Sequence, residues 1–113
     1  MIKIYHNPRC RKSREGLAFL EKSGEKFEIV RYLDNPLTRE EITALLKALN
    51  ISPIDLVRKN EAIWKSDYKG KELSDSQLIA ALAEHPKLIE RPIVLMGNKA
   101  VIARPADKIN ELL

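Results

Sequence analysis

Hydrophobic and polar positions alternate at the start of the chain and then change to a helical spacing. The segment Ile2–Tyr5 alternates and predicts a strand, and the Asn7-Pro8 pair that follows predicts a turn. A helix is predicted from about Cys10 to Ser23, where Gly24 is a typical signal for a helix C-terminus. Residues 27–32 predict a second strand. This strand–helix–strand order favours two parallel strands joined by a right-handed crossover.

The middle of the chain carries helical signals only. Two capping-box patterns each predict the start of a helix: Thr38 with Glu41 and Ser74 with Gln77. Apolar residues follow both boxes at helical spacing, and Pro86 ends the second helix. Ser52-Pro53 predicts a short helix between them, whereas residues 60–71 remain unassigned. We therefore expect a helical insertion at about residues 36–88.

The last part of the chain predicts a hairpin and a final helix. Residues 92–96 form an apolar strand pattern, Gly97-Asn98 is a tight-turn signal, and residues 100–103 predict the returning strand. Pro105 opens a helix whose inner face is expected to carry Ile109, Leu112 and Leu113. Without the insertion, the order is βαβ followed by ββα. The pattern thus predicts one α/β domain over residues 1–113, with a thioredoxin-like four-stranded mixed sheet.

Composition narrows the cellular setting. The chain has 113 residues, of which 44% are hydrophobic and 32% charged, as in ordinary globular proteins. No apolar run approaches the ~20 residues of a membrane span, and the N-terminus lacks the apolar stretch of a signal peptide. We therefore expect a cytoplasmic protein with no membrane partner.

Charge and residue usage restrict the classes of ligand that the chain is expected to bind. The net charge of +4 predicts attraction to anions, but it does not choose between nucleic acid and a small oxyanion. Aromatic residues make up only 5% of the chain, so stacking surfaces are scarce and no nucleic-acid partner is expected. His6 and His85 are far apart with a single cysteine between them, which gives no metal-ligand spacing. We expect no bound metal or cofactor.

Cys10 stands where the first strand leads into the first helix. The start of a helix presents unpaired N–H groups and the positive end of the helix dipole. Four cations stand within four residues of the thiol: Arg9, Arg11, Lys12 and Arg14. Ser13 either donates a hydrogen bond to the thiol or serves as an ordinary first-turn hydroxyl. Such surroundings lower a thiol pKa from about 8.5, so a reactive thiolate is favoured over a buried apolar cysteine.

Two further expectations concern Cys10 and its neighbour His6. Because Cys10 is the only cysteine, the chain cannot form an internal disulfide, and an outside thiol must complete any redox cycle. The nearby His6 is equally compatible with two roles, a structural imidazole and a helper for the thiol.

Four motifs resemble those of the arsenate reductases that are coupled to glutathione and glutaredoxin. In chain order they are Tyr5-His6-Asn7-Pro8-x-Cys10 with Ser13-Arg14, Val57-Arg58-Lys59-Asn60, Glu90-Arg91-Pro92-Ile93, and Ala103-Arg104-Pro105. The match runs over essentially the whole chain in the same order, which makes the four motifs specific together. The resemblance implies a thioredoxin-like fold with a helical insertion. It also implies that Cys10 is the nucleophile that reduces arsenate to arsenite.

The resemblance assigns roles to further residues. It implies that Arg58, Arg91 and Arg104 bind the oxyanion and that a cis peptide bond precedes Pro92, which faces the cysteine. The residues expected to support the nucleophile are His6, Asn7, Ser13 and Arg14, with Pro92. Glutathione is implied as co-substrate and glutaredoxin as partner, and a monomer is expected. Taken singly, each of the three arginines is more often a solvated surface charge.

The chain departs from the best-known branch of that family at one place. There a Gly-Thr pair separates the cysteine from its Ser-Arg, whereas this chain has Arg11-Lys12, which bears on substrate access and on glutaredoxin docking. Two alternative functions remain open. One is a thioredoxin-fold regulatory protein that binds RNA polymerase or another protein. The other is a glutathione-dependent thiol reductase. Such regulators often carry a Cys-x-x-Cys pair, whose second position is Ser13 here.

Overall fold

A four-stranded mixed sheet organises the computed structural model, which describes residues 2–113. The strands are β1 (Ile2–Tyr5), β2 (Phe27–Val30), β3 (Ile93–Met96) and β4 (Lys99–Ile102). Their order in the sheet is β2-β1-β3-β4. Strand β1 runs parallel to β2 and antiparallel to β3, and β3 forms a hairpin with β4. This is the predicted βαβ–ββα arrangement, and the predicted fold class is confirmed.

The helices follow the sequence pattern with two differences. They are α1 (Arg11–Ser23), α2 (Arg39–Leu49), α3 (Ala62–Asp67) and α4 (Asp75–Glu84). Short 3₁₀ helices span Pro53–Leu56, Pro86–Leu88 and Ala106–Glu111. Helix α3 lies in the segment that the sequence left unassigned. The final helix, predicted after Pro105, is a 3₁₀ helix.

The predicted helix ends are present in atomic detail. The hydroxyl of Thr38 accepts the backbone N–H of Glu41 at 3.1 Å, and the Glu41 carboxylate accepts that of Thr38 at 3.0 Å. Ser74 and Gln77 make the same reciprocal pair at the start of α4. Gly24 ends α1 with a φ of 75°, a left-handed conformation that glycine adopts without steric cost. Side-chain capping therefore sets where α2 and α4 begin.

The chain divides into two compact units, and the first contains the sheet. It comprises the segment that ends at Asn35 together with Arg91–Leu113. Helix α1 packs against the final 3₁₀ helix, and both contribute to the core with β1 and β3. The buried cluster consists of Ile2, Ile4, Leu20, Val94, Ala103 and Ile109.

Leu113 corrects one sequence prediction. It was expected on the inner face of the last helix with Ile109 and Leu112, but its side chain is 51% exposed. A 3₁₀ helix has three residues per turn, so Ile109 and Leu112 share one side and the next residue turns away.

The second unit, Pro36–Glu90, contains α2, α3, α4 and two 3₁₀ helices. Helices α2 and α4 pack together through their apolar faces, which bury Ile42, Leu45, Leu78 and Leu82. Trp64 stacks on Tyr68 with ring centroids 5.6 Å apart. No helix in the described part of the chain is long and apolar enough to cross a membrane.

A close approach between α1 and Pro92 fixes the position of the helix in the first unit. A Cβ atom at Gly16 would lie 2.8 Å from Cγ of Pro92, closer than such atoms normally come. Glycine inside a helix costs about 1 kcal/mol relative to alanine, so it is retained where the space is needed. Gly16 therefore lets α1 dock directly on the residue that precedes β3.

We predict that Gly16→Ala destabilises the protein by up to about 2 kcal/mol, in place of the gain of about 1 kcal/mol that alanine brings at an open helix position. Overpacking against Pro92 costs about 1–3 kcal/mol, and the better helix propensity of alanine offsets part of it. The measurement is the free energy of unfolding in urea. The control is Lys22→Ala on the exposed face of the same helix, which should stay within about 0.5 kcal/mol of the parent. A Gly16→Ala protein about 1 kcal/mol more stable than the parent would contradict this close packing.

Candidate active site

The sheet register brings distant parts of the sequence to one end of the first unit. Tyr5, the last residue of β1, pairs with Ile93, the first residue of β3, and Ile93 pairs with Ile102, the last residue of β4. The segment that leads to Cys10 leaves the sheet at this end. Arg91 precedes β3 here, and Arg104 follows β4 here. The topology thus gathers a thiol and two arginines that are about 80 to 94 residues apart in sequence.

Cys10 caps the N-terminus of α1. Its backbone is extended (φ −93°, ψ 124°), its N–H donates to the carbonyl of Asn7 at 3.0 Å, and its own carbonyl accepts the N–H of Arg14. That bond is the first of the helix, so the N–H groups of residues 11–13 have no carbonyl partner within it. The half-buried thiol therefore lies beside backbone N–H groups that have no carbonyl partner within the helix, as the sequence predicted.

The surroundings favour the thiolate form of Cys10. Partial burial is the largest single influence and raises the pKa of the thiol. The backbone N–H groups of Ser13 and Lys12, together with the charge and a hydrogen bond of the Arg91 guanidinium, outweigh it. The pKa of Cys10 therefore lies below its ordinary value, which raises the thiolate fraction at neutral pH.

Ser13 supports this arrangement in a different way from the one predicted. Its side chain is fully buried, and its hydroxyl is hydrogen-bonded to Nδ1 of His6 at 2.7 Å and accepts the N–H of Asn7 at 2.9 Å. The sequence left two roles open for this hydroxyl, a donor to the thiol and an ordinary first-turn hydroxyl. In the structure the third helical residue turns its side chain inward, toward the end of β1, and only its backbone N–H acts on Cys10.

His6 is a buried neutral partner in this network. Burial is the main cause that lowers the pKa of His6, and a backbone hydrogen bond with Ser13 opposes it. The positive charges of Arg31 and Arg14 lower it further. An imidazole with a pKa below 6.5 is mostly uncharged at neutral pH. His6 therefore holds the first turn of α1 against the end of β1 through the Ser13 hydroxyl.

Arg91 brings a partly buried guanidinium next to the thiol. Its Nε atom is buried and has no hydrogen-bond partner among residues 2–113, although a buried polar atom without a partner is costly. An oxyanion beside Cys10 would satisfy it. Pro92, which follows a cis peptide bond, accepts the N–H of Ala103 at 2.9 Å, and this hydrogen bond aligns Arg91 with Arg104 at the ends of β3 and β4.

The cations next to Cys10 in sequence are directed elsewhere. The Arg14 guanidinium donates to the carbonyl of Pro8 at 3.0 Å and closes the turn before the helix. Arg11 and Lys12 both point to the carboxylate of Glu15. The charge that lowers the pKa of the thiol comes from Arg91. That partner is 81 residues away in sequence, and local composition does not reveal it.

Arg58 belongs to the second unit and has acidic partners there. An isolated bridge between Val57 and Ile89 brings it beside Glu90, and its Nη1 lies 2.7 Å from the Glu61 carboxylate. Its Nε lies 3.7 Å from the Glu90 carboxylate, and its side chain is only 19% exposed. The sequence did not identify these two carboxylates. The available signal was the position of Glu61, three residues after Arg58.

Two other features complete the description of the site. Gly16 was not recognised from the sequence, and its only signal is a glycine within a helical pattern. Among the residues that the structure describes, no group of three or more His, Cys, Asp or Glu side chains could hold a metal ion.

Comparisons with known proteins agree with this geometry. The profile of the ArsC family matches residues 5–112. An arsenate reductase of Neisseria meningitidis serogroup B is 40% identical over 99% of this chain and 97% of its own. The uncharacterised protein YfgD of Escherichia coli K12 is 42% identical over 99% of this chain and 96% of its own. The solved structure of an arsenate reductase from Vibrio cholerae superposes with a TM-score of 0.94 at 42% identity, covering 99% of this chain and 97% of that one.

We predict that the pKa of Cys10, read from its alkylation rate, depends on Arg91 and the backbone N–H groups directly and on the Ser13 hydroxyl only through the position of the helix start. The pH dependence of the rate with iodoacetamide should show an inflection below the ordinary thiol pKa of about 8.5. Arg91→Gln removes a positive charge and a hydrogen bond from the thiolate and should shift the inflection upward. Ser13→Ala keeps the backbone N–H but loosens the turn that holds it, so it should raise the inflection by less than Arg91→Gln does.

Ser13→Ala is also the control for the buried network. It removes the partner of the buried His6 and of the Asn7 N–H, which should lower the free energy of unfolding by about 1–3 kcal/mol. If Ser13→Ala raised the inflection as much as Arg91→Gln and left stability unchanged, the hydroxyl would be the donor to the thiolate.

Proposed function

This chain belongs to the ArsC family, and on that basis we propose that it is a one-cysteine arsenate reductase that converts arsenate to arsenite. The proposal rests on the Cys10 thiol, whose pKa is lowered and which lies beside the Arg91 guanidinium. The buried Nε of that guanidinium has no hydrogen-bond partner among the described residues. A nucleophile and an oxyanion donor at one helix N-terminus are the two parts that thiolate attack on a tetrahedral oxyanion needs.

The first step joins Cys10 to arsenic. The thiolate Sγ attacks arsenic, an arsenic–oxygen bond breaks, and the leaving oxygen departs as water after it takes up protons. The product is a Cys10 thioester of arsenic(V), and no electrons have yet been transferred. Backbone N–H groups at the start of α1 and the Arg91 guanidinium stabilise the negative oxygens while these bonds change.

The second step transfers two electrons and needs an external thiol. Glutathione attacks Sγ of Cys10, a sulfur–sulfur bond forms, and the electron pair of the sulfur–arsenic bond leaves with arsenic, which becomes arsenite. The remaining mixed disulfide between Cys10 and glutathione is then reduced by glutaredoxin, which restores the thiol. Because the chain has a single cysteine, it cannot supply the second sulfur itself. This chemistry fits the cytoplasm, where glutathione is kept reduced.

The three arginines differ in the support for their roles. Arg91 is supported by its hydrogen bond to Cys10, and Arg104 by its place beside Arg91 at the same end of the sheet. For Arg58 the support is the resemblance of its motif. Its two carboxylate partners hold the guanidinium in place within the second unit.

We predict arsenate-dependent NADPH oxidation when glutathione, glutaredoxin and glutathione reductase are supplied. Cys10→Ser should abolish it. Arg91→Ala should reduce kcat/KM at least about tenfold, since a charged hydrogen bond contributes about 1.5–3 kcal/mol and 1.4 kcal/mol is a factor of ten. Arg91→Lys should restore only part, because an ammonium cannot make the forked contact. Arg39→Ala, an exposed arginine on α2, is the control and should retain full activity.

The choice of reductant tests whether an external small thiol is needed. Thioredoxin with its reductase, supplied alone, should not support multiple turnovers. Multiple turnover with thioredoxin alone would contradict the need for an external small thiol. A folded protein with no arsenate-dependent oxidation under any of these conditions would instead favour the regulatory binding protein.

A further inference from the structure

Exposed cations surround Cys10 without being used to ionise it. The segment from Arg9 to Glu15 carries four positive charges and one negative charge, a net charge of +3. The guanidinium of Arg14 is held against the Pro8 carbonyl, whereas the side chains of Arg11 and Lys12 are 86% and 48% exposed. These two side chains extend into solvent from the two residues that follow the thiol.

A single carboxylate is shared between these two cations. Nε of Arg11 and Nζ of Lys12 each lie 3.6 Å from an oxygen of Glu15, which is itself 42% exposed. Exposed ion pairs at this distance contribute little to stability, so an incoming carboxylate can replace Glu15 at low cost. One positive charge remains uncompensated even when Glu15 is in place.

We propose that Arg11 and Lys12 select an anionic low-molecular-weight thiol at Cys10, and that Glu15 limits their attraction. The thiol class is the one to which glutathione belongs, with more carboxylates than ammonium groups. A guanidinium binds a carboxylate with two parallel hydrogen bonds, and a nearby lysine adds attraction to the approaching anion. This inference rests on the proposed function, in which an external thiol attacks the sulfur of Cys10.

The test uses thiol–disulfide exchange and does not involve arsenate. The Cys10 thiolate attacks one sulfur of an added disulfide, a mixed disulfide forms, and the other half leaves as a thiolate. Oxidised glutathione, an anion, and cystamine, a dication, are compared by their second-order rate constants, with the product identified by its mass. Both reagents meet the same thiolate, so its pKa and nucleophilicity cancel in the ratio of the two rate constants.

At an ionic strength of about 0.1–0.15 M, Arg11→Gln and Lys12→Gln should each lower the ratio for glutathione disulfide over cystamine by about three- to tenfold. Glu15→Gln should raise the ratio, because it frees both cations. Lys22→Gln is the matched control. It removes the same charge from the same helix, about 15 Å along the axis and beyond a Debye length of about 8–10 Å, and should leave the ratio unchanged.

Salt and activity complete the design. Molar salt should bring all ratios together, because screening removes the attraction. The proposal is overturned if Arg11→Gln and Lys12→Gln change the ratio no more than Lys22→Gln, or if Glu15→Gln lowers it. If the ratios behave as expected in a protein that does not reduce arsenate, the selection stands and the proposed function fails.

Discussion

The hydrogen bonds of the buried Ser13 hydroxyl are the constraint on which the rest of the site depends. They join the first turn of α1 to His6 and Asn7, the residues that follow β1. A helix N-terminus is useful at Cys10 only if its free N–H groups are held toward the thiol, and this buried network holds them. Gly16, one turn further along α1, then allows the helix to reach Pro92. The position of the helix start, and with it the position of the thiol, is thus set by the small inward-facing residues Ser13 and Gly16.

The positive charges near Cys10 are divided between two tasks. Arg91 is partly buried, bonds to the thiol and lowers its pKa, so it acts on the nucleophile itself. Arg11 and Lys12 are exposed and act on charges that approach from solvent. Screening by solvent explains the division, because an exposed charge stabilises a neighbouring thiolate weakly yet still attracts a mobile anion. Bulky cations can therefore follow Cys10 in this chain without changing the nucleophile.

Much of the fold could be read from the sequence because its signals are local. The capping residues Thr38 and Ser74, the turn at Gly97-Asn98 and the alternating apolar strands depend on near neighbours in the chain. The site was only partly predictable, since its contacts are not local. Cys10 was recognised from the helix start, but its charge partner Arg91 is set by sheet register. The inward turn of Ser13 likewise depends on where α1 docks. Four motifs in the right order compensated for this, and the family match confirms the resemblance.

In the proposed reaction, arsenic leaves the sulfur of Cys10 and glutathione takes its place. Intact-protein mass spectrometry after incubation with arsenate and glutathione, but without glutaredoxin, tests it most directly. A mixed disulfide with glutathione should accumulate at Cys10 in step with released arsenite, and phosphate in place of arsenate should give none. Arsenite released while Cys10 remains a free thiol throughout would contradict the mechanism.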